Sequence, residues 1–415
     1  MTHNKYATIK VIPDEKFKTS TICLMLRRPL KKDEATKNSL LANILGAGSN
    51  KYPNLYEINK YMEELYGAVF GSLIVKKGEF QIIRLYIEFA ANLDDGLLNE
   101  AVEFLKEILF NPLVKNGEFS REVFENEKNM LKDSISERIN DKNSYVRLKC
   151  IEKMCKDEPF GIYADGYAEE LDELDPKILY LHYEEIIRTT PLEFIASGNI
   201  DAVKFKKLAE ENFKNNDFEA VALEAAPPIY KPGEAVKHEE TLKINQGKIC
   251  MGLRAGYGYS GKPFCDFLVF NEILGGSGNS KLFMNLREKA SLCYSIFSFL
   301  YRAKSILMIQ SGVETKNIDL TIKKINEQLQ AVKDSQVSDE ELHLAKQSLL
   351  SGFKSITDSQ GAILDFSYTQ HILGDNDSIE DIIQGINNVS IPDIVKLANL
   401  LYTDTIYILK GESDE

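Results

Sequence analysis

Apolar positions along the chain fall into strand-like and helix-like stretches whose order occurs twice. Residues 19–27 (TSTICLMLR) are rich in β-branched and aliphatic side chains, and residues 246–254 (QGKICMGLR) repeat them nearly position for position. Each run is followed by a helical stretch, residues 38–45 and 264–274, that stops at a glycine-bearing loop as a helix C-terminus does. The loops echo each other, ILGAGSN at 44–50 and ILGGSGN at 273–279. A second helical stretch comes next, residues 55–65 and 281–290. Residues 82–89 then alternate as a half-buried strand, with 306–312 as counterpart.

Amphipathic helices close each series. Ile318, Ile322, Ile325, Leu329 and Val332 step by 4, 3, 4 and 3, which lines one helix face, and Leu97, Ala101, Phe104, Leu105 and Ile108 do the same. FSREVFENEKNML then aligns with VSDEELHLAKQSL, placing Lys128 opposite Lys346, and Ser338 with Glu341 has the spacing of a capping box. Between the copies, Pro227, Pro228, Pro232 and Gly233 make a linker composition. The chain is therefore read as α+β, with two homologous domains that each pair a mostly antiparallel sheet with flanking helices. Residues 1–222 form the first, 223–238 the linker and 239–415 the second, with a frayed GESDE ending.

Composition narrows the function classes. A length of 415 residues suits two domains that each bury a core. The net charge of -13 disfavours nonspecific nucleic-acid binding. Arg27, Arg28, Lys31 and Lys32 gather basic charge, which a solvated strand end explains as well as a partner does. Six cysteines (Cys23, Cys150, Cys155, Cys250, Cys265, Cys293) without a CxxC pair read as reduced, buried thiols. The N-terminus lacks the apolar core of a signal peptide, and no apolar run reaches the roughly 18 residues of a membrane helix. The expectation is a soluble, cytoplasmic protein without nucleic-acid or membrane partners.

The segment LGGSGNSKLFMNLREKASLCYSI, followed by VSDEELHLAKQSLL, resembles the insulinase/pitrilysin superfamily of zinc peptidases. The likeness runs over nearly the whole chain and is to the two-domain branch that includes the mitochondrial processing peptidase subunits. In the first half it continues through GSNKYPNLYEINKYMEELYGAVF. The wording LYGA, KKGEFQIIRLYIEF and NDKNSYVRLKCIEKMCKDEPFGIYADG is similar to a bacterial branch associated with the 5-aminopentanol modification of elongation factor P.

Peptidases of the family carry HxxEH on the helix before the first loop. Its two histidines and a distant glutamate hold Zn²⁺, and its own glutamate activates the metal-bound water. Aligned on the shared segment after that motif, the five positions are Ser39, Leu40, Leu41, Ala42 and Asn43, so Ser39 and Asn43 replace the histidines and Ala42 the base. The distant ligand falls on Ser134, seven residues after Glu127, with Asp133 and Glu137 close by. The five histidines (His3, His182, His238, His343, His371) are scattered, and no helical His pair can form. Isolated histidines are far more often structural. The resemblance thus implies a member without metal or catalytic residues.

Gly275, Gly276 and Gly278 offer backbone N–H groups to an anion, yet the segment is no P-loop, because no glycine precedes Lys281 and no Ser or Thr follows it. A helix C-cap and tight turn is the plainer reading. In related heterodimers the resemblance gives such a loop a substrate contact. It also assigns Arg287 and Tyr294 to the pair that positions substrate near zinc in active relatives, two helical turns apart if the helix continues; inherited packing is the alternative. The expectation is a noncatalytic subunit that pairs with an HxxEH-bearing subunit of similar size and encloses a peptide or unfolded segment. Zinc would then sit only in the partner. The rivals are an active zinc peptidase with a relocated site and a purely structural assembly subunit.

Overall fold

The computed structural model describes residues 2, 3, 6–91, 93, 96–214, 218–224, 227–256 and 260–411; residues 225 and 226 of the expected linker and 412–415 of the expected frayed end lie outside the described residues. The chain divides into two compact units. The first holds Met1–Glu137, Ile162–Ala225 and Ser359–Tyr368, the second Arg138–Gly161, Ala226–Asp358 and Thr369–Glu415. Each unit therefore incorporates one segment from the far half of the chain.

In the first unit six strands form a sheet in the order Thr2–His3, Ala7–Pro13, Leu192–Gly198, Thr19–Pro29, Phe80–Ala90, Val69–Lys77. Only Ala7–Pro13 and Leu192–Gly198 pair in parallel. The central strand Thr19–Pro29 is buried almost throughout, which is why its middle, residues 22–26, is apolar without alternation. On Phe80–Ala90 the side chains Ile83, Leu85, Ile87 and Phe89 enter the core, while Arg84, Tyr86 and Glu88 take the opposite face. Helix Leu97–Phe110 buries the stripe Leu97, Ala101, Phe104, Leu105 and Ile108 against that core. Each fully buried Leu or Phe contributes about 1.5–3 kcal/mol.

The second unit repeats the plan. Its sheet runs Val236–Leu242, Tyr402–Gly411, Gly247–Arg254, Ile306–Val313, Cys293–Tyr301, and again only the first pair is parallel. Strand for strand this is the order of the first sheet without Thr2–His3. Helix Asp339–Ile356 starts with the expected capping box: Ser338 Oγ accepts from the Glu341 amide at 3.1 Å and Glu341 Oε2 from the Ser338 amide at 2.8 Å. Lys128 and Lys346 also prove equivalent, each donating its ammonium to a backbone carbonyl, of Leu174 (3.2 Å) and Asn387 (2.8 Å).

Arg27 and Arg28 correct an expectation, for both are buried and paired. The Arg27 guanidinium meets Glu193 at 2.5 Å and lies over the Phe80 ring, and Tyr368 donates to the same carboxylate at 2.7 Å. Arg28 pairs with Glu34 at 2.6 Å and donates to Thr189 and Thr190. A charge under a helical layer needs a fixed counter-charge, and each arginine has one. The far-half segment is held by more than Tyr368: Gln360 donates to the Thr19 carbonyl at 2.7 Å, and Lys77 pairs with Asp365 at 2.7 Å.

The second unit holds its own far-half segment through a buried ionic cluster. Glu158 Oε1 accepts from Arg254 at 2.6 Å, Oε2 lies 2.8 Å from Lys304 Nζ, and Arg254 also meets Asp404 at 2.8 Å. Burial alone would raise the Glu158 carboxyl, but Lys304 and Arg254 hold it below the usual carboxylate range. On helix Lys142–Met154 of the same segment, Val146, Cys150 and Met154 pack with Cys250, Met308 and Tyr407. All six thiols are free and buried.

Candidate functional site

The residues that the resemblance aligns with the family's zinc motif lie on helix Lys32–Ala47. Leu40, Leu41 and Ala42 are fully buried members of the first core, Ser39 is buried beside them, and Asn43 is half-buried. The Ala42 carbonyl accepts from Ser72 Oγ of the edge strand at 2.5 Å. Helix Arg121–Ser136 packs against this helix, yet Ser134 is exposed, as are Asp133 and Glu137. Glu127 is half-buried, and burial raises its carboxyl. Serine, alanine and asparagine supply neither imidazole nor carboxylate, so these positions do not fit zinc. Among the described residues no three His, Cys, Asp or Glu side chains gather closely enough to hold a metal ion.

Beside Ser39 lies a polar network that no sequence signal marked. Asn38 donates to Gln81 Oε1 at 2.8 Å, and its own carbonyl oxygen meets His182 Nε2 at 2.7 Å. Gln81 donates to the carbonyls of Ala35 (2.9 Å) and Ala164 (2.6 Å). Burial, reinforced by Lys37, pushes His182 down to about 4, so the ring is neutral and donates through Nε2. Its pKa is lower folded than unfolded, so its stabilisation is complete above pH 6.5 and disappears as pH falls towards 4. That loss amounts to roughly 3 kcal/mol. Urea unfolding across this range should show a steep fall that His182→Gln flattens; equal slopes in the two proteins would refute the assignment.

In the second unit, helix Gly261–Asn271 passes into a wider π-type turn, Glu272–Gly276, before the exposed loop. Gly275 is buried, and a Cβ there would stand 2.7 Å from Ser298 Oγ. A Cβ on Gly276 would stand 2.5 Å from Glu272 Oε2. Gly278 has nothing within 4 Å of its Cβ position. Close packing thus demands glycine at 275, while the nearest neighbours of Gly276 are the movable ends of the Glu272 and Asn271 side chains. Glu272 is buried beneath the loop, and burial raises its carboxyl against a hydrogen bond from Ser348.

Arg287 lies on the π-type turn Phe283–Lys289, its guanidinium 4.6 Å from the centre of the Phe283 ring. Ser291 then takes a left-handed φ of 50° and ends the helix, so Tyr294 falls on the edge strand Cys293–Tyr301. The expected helical spacing of the two does not hold. Tyr294 is 57% exposed, its hydroxyl 3.5 Å from Glu314. Arg287 and Tyr294 share no hydrogen bond among the described residues. The surface offers backbone N–H groups, a guanidinium and a phenol, which can bind peptide but supply no hydrolytic water.

Comparison with known proteins fits this geometry. Residues 173–349 match the family described as Peptidase M16 inactive domain. The probable inactive metalloprotease YmfF of Bacillus subtilis is 31% identical over 410 residues, 97% of this chain and 96% of that protein. The uncharacterized zinc protease YmxG of the same organism is 22% identical, over 77% of this chain and 76% of its own. A conserved protein from Enterococcus faecalis superposes with a TM-score of 0.91 at 27% identity, covering 99% of this chain and 97% of that one. The M16 inactive-domain structure from Pseudomonas fluorescens gives 0.79 at 16% identity, covering 97% and 95%, a likeness of fold. By these matches this chain is a member of the M16 peptidase family, one of its noncatalytic members.

Proposed function

We propose that the chain is the noncatalytic half of a cytoplasmic peptidase-like pair, enclosing and positioning a peptide or unfolded segment for an HxxEH-bearing subunit of similar size. Zinc sits in that partner alone. The observation that carries this reading is the contrast between a metal locus filled as core and sheet edges left open. Edge strand Val69–Lys77 carries no charge before Lys76, and Cys293–Tyr301 carries neither charge nor proline. Val236–Leu242, at the far side of the second sheet, is instead studded with Lys237, Glu239 and Glu240, the usual protection of an edge. An open edge captures extended peptide through its main-chain groups. Gly275, Gly276, Gly278, Arg287 and Tyr294 contact the substrate, and the biological setting is maturation of elongation factor P.

The test is reconstitution with the HxxEH-bearing neighbour. The pair should cleave peptide, and Arg287→Ala with Tyr294→Phe should lower turnover by roughly tenfold or more while leaving the pair assembled. Unchanged turnover would instead identify a structural assembly subunit. Stoichiometric zinc and peptide cleavage by the purified chain alone would overturn the reading.

A further inference from the structure

The edge strand Val69–Lys77 has an ordered face. On the face opposite to Phe70 and Ile74 it shows Val69, Gly71 and Leu73, and the paired strand sets Glu88, Tyr86 and Arg84 directly opposite them, with Leu364 and Asp365 covering the Arg84 end. Gly71 is a gap in this row, and the Tyr86 ring fills it: a Cβ on Gly71 would stand 2.3 Å from the ring. The ring thus leans across its cross-strand glycine towards the open edge, as aromatics do over glycines in sheets. Val69 and Leu73 flank it, 53% and 36% exposed.

Charge is ordered along the same face. Glu88 lies beyond Val69, and no cation pairs with it among the described residues. Arg84 lies beyond Leu73; its guanidinium donates to Cys23 Sγ at 3.3 Å, and its Nε is buried without a hydrogen-bond partner. No carboxylate pairs with it among the described residues. An incoming strand would run about 4.8 Å outside this edge, within reach of long side chains.

We propose that Gly71 and Tyr86 form a side-chain subsite on this edge, selecting an aromatic residue of a captured extended peptide, with Arg84 and Glu88 choosing an acidic and a basic residue on either side. The proposal rests on the strand-capture reading above. Antiparallel pairing is the more stable of the two directions, and it places the peptide residue opposite Val69 last. The preferred peptide therefore reads Glu-x-Phe-x-Lys, with the phenylalanine on the Tyr86 ring and the lysine towards Glu88.

Fluorescence anisotropy of the full chain with labelled peptides tests this. The probes are Glu-x-Phe-x-Lys in a threonine-valine host, its alanine-centred counterpart and the reversed Lys-x-Phe-x-Glu. The phenylalanine peptide should bind roughly tenfold more tightly than the alanine one. Tyr86→Ala should reduce that ratio to about twofold or less, and Tyr86→Phe should keep it. The reversed peptide should bind more weakly, and peptide should protect the amides of residues 69–77 from hydrogen exchange. Equal binding of the phenylalanine and alanine peptides, with those amides protected, would overturn the subsite and leave strand capture standing. Preference for the reversed order would overturn the charge assignment. Absent binding, or binding without protection of residues 69–77, would overturn the subsite and capture at this edge together.

Discussion

Ala42→Glu, which puts a carboxylate at the position that the resemblance aligns with the general base of active peptidases, should destabilise the first unit by on the order of 4 kcal/mol. Ala42 is a fully buried member of the first apolar core. Overpacking alone costs about 1–3 kcal/mol. A carboxyl forced into that core must in addition take up a proton or remain charged at a cost of several kcal/mol. Ala42→Ser, which adds one hydroxyl able to reach its own helix backbone, should cost no more than about 1 kcal/mol. Chemical unfolding followed by circular dichroism separates the cases. A glutamate tolerated within 1 kcal/mol of the parent would mean that the vestigial site still holds a polar cavity.

Glu158→Gln should be comparably severe in the second unit. The substitution takes away the carboxylate that the Lys304 ammonium, 2% exposed, meets at 2.8 Å and that Arg254 meets at 2.6 Å. Breaking a buried ion pair from one side costs about 3–5 kcal/mol, and in a unit of this size that lowers the melting temperature by roughly 10 °C. The double variant Glu158→Gln with Lys304→Met removes both charges and leaves Arg254 with Asp404. It should recover most of the loss. A double variant no more stable than Glu158→Gln would show that the cluster acts through packing rather than charge.

The duplication was legible because both copies kept the same local chemistry, from the ILG loops to Lys128 and Lys346. The order of strands was not. Neither Leu192–Gly198 nor Tyr402–Gly411 was marked as a strand by the sequence pattern, and their insertion between sequence-distant neighbours is set by long-range pairing that no local pattern encodes. Arg27 and Arg28 looked like a solvated strand end because Glu193, which neutralises the first, lies far along the chain. Glu34, only six residues from Arg28, was the available clue. The seven-residue spacing of Arg287 and Tyr294 suggested two helical turns, and the left-handed Ser291 undoes it. That Ser39, Ala42 and Asn43 bring neither imidazole nor carboxylate was readable from residue identity alone. The burial of Leu40, Leu41 and Ala42, and the Asn38–His182 contact beside them, emerge only in the fold.

The far-half segments bear on synthesis as well as on stability. As the chain leaves the ribosome, the first sheet can close its strands once Leu192–Gly198 has emerged, yet its Glu193 and Thr19 still lack Tyr368 and Gln360. Gln360 and Thr19 are separated by 341 residues, so the first unit remains an unfinished nascent domain until that far segment has been made. Vectorial folding, N-terminal domain first, is thereby prevented from running to completion. A ribosome stalled before residue 359 should present a first unit that is collapsed but protease-sensitive around Arg27, and emergence of the chain past Tyr368 should be the step that seals it.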